Sequence, residues 1–140
     1  MKIMKMLLCA ALVLVFAACN NSGYNAKTCK ELCDKIEKGE TLSDKEVSEM
    51  IDQWVAIMNV YFEKIKATGY DKEKIAKWES SEEWTEMGNY GNIFNRYSIL
   101  NKLSEENEKK LQEASQKLST EMMEMQKEAM EKMKKESPQK

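Results

Sequence analysis

Apolar residues recur through most of this chain at spacings of three and four, the period of an α-helix that keeps one face against a core. Cys29, Leu32, Cys33 and Ile36 share one face of a segment over 27–38, with Gly39 placed to stop it. Over 44–68 the face is broader: Val47, Met50, Ile51, Trp54, Val55, Met58, Tyr61, Phe62 and Ile65. Ser43 and Glu46 form a capping box ahead of it, Leu42 and Val47 flank that box as a staple, and Gly69 closes the run. The pattern over 71–88 is less regular, with Ile75 and Trp78 on one turn and Trp84 and Met87 on another. It predicts a helix broken near Ser80, and Gly88 and Gly91 bracket a further break. From 92 to 135 the apolar positions run on, and Asn107, Leu111, Ala114, Leu118, Met122, Met125, Ala129 and Met133 step close to an eleven-residue repeat. That period implies a nearly straight or slightly right-handed helix pairing. Glu105 with Lys109, Glu106 with Lys110, Glu113 with Lys117, Glu128 with Lys132 and Glu131 with Lys135 add support one turn apart.

No segment alternates in the manner of a strand, so the fold class is all-α: a small helical bundle with a long C-terminal helix. A helix over 92–135 would reach about 60 Å while the one over 44–68 spans about 37 Å. The part beyond about Leu118 should therefore project, fray or pack on another chain.

The N-terminal pattern differs in kind. Lys2 and Lys5 precede an almost unbroken apolar run from Met6 to Ala18, which ends in two small residues and Cys19. The layout is that of a secretory signal, and the run is shorter than the roughly 20 apolar residues that cross a bilayer. Phe16-Ala17-Ala18-Cys19 resembles the lipobox of bacterial lipoproteins, although Phe16 stands where the family usually has leucine. The resemblance implies that the Cys19 thiol carries diacylglycerol, that 1–18 is a cleaved signal peptide, and that mature Cys19 bears several acyl chains. Two or more chains give stable membrane anchoring where one does not. Cleavage at the same place without lipid, leaving a soluble protein with a free thiol, is the competing reading. Cys9 follows bulky residues and too short a run, and leaves with the signal.

Residues 19–26 are small and polar, which suits a flexible lipidated tether, and 27–137 makes one small helical domain. Asn20 follows the cysteine where some bacteria use aspartate to retain lipoproteins at the inner membrane. The expectation is outer-membrane placement facing the periplasm.

Composition narrows the function classes. The chain is 42% hydrophobic and 33% charged, and loss of Lys2 and Lys5 moves its formal charge from −2 to −4, which argues against nucleic-acid binding. Histidine is absent, which removes the commonest general base and metal ligand. The carboxylates sit in Glu/Lys helical patterns, and no glycine-rich phosphate loop follows a strand. The expectation is a non-enzymatic protein with no cofactor.

Three constellations carry candidate chemistry. Cys29 and Cys33 are small core residues, or in an oxidising compartment a disulfide that would need a distorted first helical turn, or serve an intermolecular bond or a metal, for which C-x-x-x-C without a second pair is a weak signal. Met122, Met123, Met125, Met130 and Met133 resemble the methionine-rich segments of periplasmic copper-handling proteins in composition, with Met122, Met125 and Met133 as Cu(I) ligands. The same residues are also explained as the apolar seam of a helix pairing. Trp78, Trp84, Tyr90, Asn92 and Arg96 combine aromatic and polar groups that could form a surface for a glycan or peptide. The reading is a lipid-anchored envelope protein acting through protein contacts or as a structural element, with self-association through the last helix as one route. A glycan- or peptide-binding module and a Met-rich Cu(I) binder are the alternatives.

Overall fold

The computed structural model describes residues 23–137 and is helical throughout: α1 (Ala26–Glu37), α2 (Asp44–Ala67), α3 (Lys72–Glu79), α4 (Glu82–Leu100) and α5 (Glu105–Glu136). The signal peptide, Cys19 and the first half of the tether, through residue 22, lie outside the described residues. Among the described residues no helix is long and apolar enough to cross a membrane.

Each helix begins at a residue whose side chain accepts from the backbone N–H three positions on, which satisfies one of the donors a helix start leaves free. The pairs are Asn25 to Thr28, Ser43 to Glu46, Asp71 to Lys74, Ser81 to Trp84 and Ser104 to Asn107. At Ser43 the capping box is complete, because the Glu46 carboxylate also accepts from the Ser43 N–H at 2.9 Å. Gly39 and Gly69 take left-handed φ values of 77° and 63° just past α1 and α2, a conformation that glycine reaches without a Cβ clash.

The break near Ser80 is present, but the other predicted boundary is displaced. Gly88 and Gly91 lie inside a continuous α4, and the chain turns instead at 101–104. Glycine in a helix interior costs only about 1 kcal/mol, too little to end a helix that tertiary contacts hold. At Ser104 the local signals agree: a serine cap, three acidic residues in the first turn of α5, and Leu103 buried in the core just before it. The long helix thus runs over 105–136 and not 92–135.

α2 is the element on which the others pack. α1 lies antiparallel to it, since Asn25 meets Gln53 while Lys35 meets Glu46 near the other end. α4 is also antiparallel: Tyr61 packs on Trp84 and the Leu42 N–H reaches Tyr97. α5 runs parallel to α2 in a fixed register. Asn107 Nδ2 donates to the Asp44 carbonyl at 3.0 Å, Lys110 Nζ to the Ser48 carbonyl at 3.1 Å, and Lys132 Nζ to the Gly69 carbonyl, at separations of 63, 62 and 63 residues.

That register corrects the expectation that α5 is uncovered beyond Leu118. Because α5 starts later than the pattern suggested, Leu118 falls near its middle and Met125 is buried with Phe62 and Ile65 of α2. Farther on, the Tyr70 hydroxyl donates to Glu128 at 2.5 Å. In that register the end of α2 at Ala67 is level with Met130, so only the last six residues of α5, about 9 Å, run past it. None of the five predicted pairs within α5 is formed: Lys109 meets Glu113 at 4.0 Å in place of Glu105, and two other lysines are redirected. Lys110 leaves Glu106 for Asp52 at 2.8 Å and for Ser48, and Lys132 turns to Gly69 and Glu136 in place of Glu128.

Two apolar clusters fill the interior. One joins α1, α2 and α4 through Cys29, Leu32, Met50, Ile51, Met87 and Phe94; the other joins the C-terminal part of α2 to α5 through Phe62, Ile65, Leu118 and Met125.

Candidate functional site

Cys29 and Cys33 fall on the inward face of α1 as free thiols, fully and almost fully buried. The regular helix carries them as core residues, so the disulfide reading is not the arrangement found. The Cys29 thiol donates to Gln53 Oε1 at 3.4 Å, and burial pushes both thiols up from the ordinary 9.0 to about 12, which leaves them protonated and poorly nucleophilic. Gln53 is a polar residue that the apolar pattern did not single out. Its Oε1 also accepts from the Asn25 N–H at 2.8 Å and its Nε2 donates to the Gly23 carbonyl at 3.1 Å, which ties the start of the domain to α2.

The five residues of the predicted ligand surface do not converge. Trp78 and Trp84 pack in a tilted pair with centroids 4.9 Å apart, and Tyr61 contacts both, tilted on Trp78 at 5.8 Å and stacked on Trp84 at 5.0 Å, to form an aromatic cluster where α3, α4 and α2 meet. Trp78 Nε1 is buried there with no hydrogen-bond partner among the described residues. Tyr90 points into the core and donates to Glu86 at 2.8 Å; burial and that carboxylate push its hydroxyl up. Asn92 and Arg96 are exposed farther along α4, where Arg96 borders a cavity of about 510 Å³ between the C-terminal ends of α1 and α4. Within α4, Trp84, Tyr90 and Arg96 follow one another at six-residue steps, which puts the three on different faces and spreads them over about 18 Å of axis.

The three candidate copper ligands are likewise divided. Met125 is buried against α2, while Met122 and Met133 are 39% and 50% exposed and lie eleven residues apart, about 16 Å along the helix. One ion cannot bridge that distance. Among the described residues no group of three or more His, Cys, Asp or Glu side chains could hold a metal ion.

What the fold does assemble is an uncharged surface. α4 and α5 both pack on α2 but scarcely touch each other, which leaves a cavity of about 320 Å³ between them. Met50 and Trp54 of α2, Phe94, Ser98 and Ile99 of α4, and Leu111 and Ser115 of α5 line it, together with Ile51 and Asn95. No lining group titrates near neutral pH, so the cavity offers shape and apolar contact but no acid or base. Its rims continue the theme. After Glu86 the outward side of α4 carries Gly88, Asn89, Asn92, Asn95 and Ile99, with Arg96 as the one charge before Leu100, and Ile99 and Leu100 are each 73% exposed. On α5, Gln112, Ser115, Ser119, Met122, Gln126, Met130 and Met133 recur every three or four residues along one exposed face without a charged residue between them. In a chain that is 33% charged, a continuous exposed surface of this kind is a departure from composition.

Sequence reasoning saw the methionines but not this surface, because its α4 rim is made of Gly, Asn and Ser, which read as turn residues in isolation. Comparison of the chain with protein-family models, with curated proteins and with solved structures finds no match.

Proposed function

We propose that this chain is a lipid-anchored envelope lipoprotein, attached through Cys19, whose helical domain works by protein contact and not by catalysis. The observation that carries the contact half is the uncharged exposed surface formed by α4 and α5 around their shared cavity. A monomer that only needed solubility would cover these positions with the Glu and Lys it uses elsewhere. The anchor half draws on the signal layout and on Phe16-Ala17-Ala18-Cys19. The helical domain reaches close to that cysteine in sequence: Gly23 and Asn25 are bonded to Gln53, so a lipid on Cys19 would hold the bundle within about 15–20 Å of the membrane surface at most. Outer-membrane placement on the periplasmic side fits Asn20 after the cysteine.

Metabolic labelling with a radioactive fatty acid tests the anchor. Label should follow the wild-type chain into the membrane fraction and be absent from Cys19→Ala; equal label in both, or none in either, overturns it. Cross-linking in intact cells tests the contact half, which fails if the chain yields no cross-linked species.

A further inference from the structure

We propose that the cavity between α4 and α5 binds a small neutral ligand, an apolar ring or short-chain compound that carries a hydrogen-bond acceptor such as a carbonyl oxygen. The site is the hollow itself and not its rims, so it stands apart from both the protein contact and the lipid anchor.

The two walls are fixed independently of each other. Lys110 ties α5 to α2 through the Ser48 carbonyl at 3.1 Å and Asp52 at 2.8 Å, one residue before Leu111 joins the lining. On the other side Phe94 and Tyr97 bury α4 in the core, and the Leu42 N–H bonds Tyr97 at 2.8 Å. Neither helix can close on the other without breaking its own anchors, which keeps a space of about 320 Å³ open. The floor is packed into the core as well: Met50, Ile51 and Phe94 are 2%, 1% and 2% exposed. A preformed and mostly apolar hollow results, at the lower end of the size range of small-molecule sites.

The polar groups of the lining set the chemistry of the occupant. No charged side chain is among them, so an ion would give up its hydration there without compensation. The Ser98 hydroxyl already donates to the Asn95 carbonyl at 2.8 Å. The Trp54 indole N–H, the Asn95 side-chain amide and the Ser115 hydroxyl have no hydrogen-bond partner among the described residues. All three can donate, and the indole can do nothing else. A ligand acceptor would meet them while its apolar body displaces water that the floor cannot bond, which favours binding.

The test photolabels the full-length chain in the membranes of cells that make it, with benzophenone as the probe, a neutral diaryl ketone. On irradiation the carbonyl oxygen takes a hydrogen atom from a neighbouring C–H and the two carbon radicals join, so the adduct has the mass of both partners. Met50 is the reporter, because so buried a residue is reached through the cavity; Met87, fully buried and outside the lining, is the control. Adducts located by mass spectrometry should appear at Met50 and not at Met87, and should saturate with probe. They should fall about tenfold in Ser115→Trp, which fills the mouth from α5, and in Ser98→Phe, which fills it from α4. Ser119→Trp, one turn along α5 and outside the lining, should label as wild type does. Asn95→Leu/Ser115→Ala removes two donors and keeps the space, and should label severalfold less. Absence of an adduct at Met50, adducts confined to exposed Met123 and Met130, or labelling of Met50 that survives both filling variants overturns the proposal. Undiminished labelling of the donor variant overturns the requirement for an acceptor.

Discussion

The Leu42 backbone N–H donates to the Tyr97 hydroxyl at 2.8 Å, a buried bond that joins the loop before α2 to the last turns of α4 across 55 residues of sequence. Leu42 precedes the Ser43 cap, so this contact fixes where α2 begins. Tyr97→Phe keeps the ring but strands a buried donor, which costs about 1–3 kcal/mol. Chemical denaturation should show that loss with an unchanged m-value; a midpoint equal to wild type would mean that water replaces the hydroxyl.

Gln53 governs the opposite end of α1. One side chain there meets Asn25, Gly23 and Cys29. Gln53→Leu should lower stability by about 2 kcal/mol, since two backbone groups lose their partner together. Hydrogen exchange should localise the effect, with the Asn25 amide exchanging faster while α5 amides keep their wild-type protection. Uniform acceleration across the domain would show that Gln53 supports the whole core and not its first residues.

The buried thiols give the domain an alkaline limit. Cys29 and Cys33 hold their protons to about 12 when folded, against an ordinary value of 9.0, and Tyr24 is raised from 10.0 to about 12, in each case chiefly by burial. The unfolded chain therefore releases these protons first as pH rises. Their contribution is fully present below about pH 9 and is lost as pH climbs through about 12. Denaturation midpoints should fall over that window, and less steeply in Cys29→Ala/Cys33→Ala than in wild type. An equal slope in both proteins would remove the thiols as the cause.

These residues also show how far the sequence could be read. The Ser43–Glu46 cap was legible because it is local, closed within one helical turn. The inward face of α2 was legible because burial of Val47, Met50, Ile51, Phe62 and Ile65 repeats at the helical period. Gly39 and Gly69 were legible as stops, since left-handed backbone there needs no tertiary information. The α4–α5 junction was misread because Gly88 and Gly91 outweigh Ser104 when weakness in a helix is scored without its packing. Met87, Tyr90, Phe94 and Tyr97 bury one face of α4 and hold it through both glycines. The partners of Lys110 and Gln53 depend on helix register, which no local pattern records. The uncharged surface was hidden for the same reason: its α4 and α5 halves are separate in sequence and become one only when both lie on α2.

Gly88 and Gly91 connect stability to that surface. A Cβ built at either meets nothing within 4 Å, and neither takes a positive φ, so nothing inside the domain requires glycine there. Gly69 is the contrast: its φ is 63° and a Cβ would come within 2.9 Å of Lys132 Nζ. Gly88→Ala and Gly91→Ala should each stabilise the domain by about 0.5–1 kcal/mol, through helix propensity and a less disordered unfolded state. Gly69→Ala should destabilise it. The missing side chains on α4 therefore weaken the helix without an internal return, and under the proposed contact function they would let a partner approach α4 closely. The double alanine variant should melt higher than wild type yet cross-link less to its partners in intact cells. A variant that is stabilised and still cross-links as wild type does would confine the contact surface to α5.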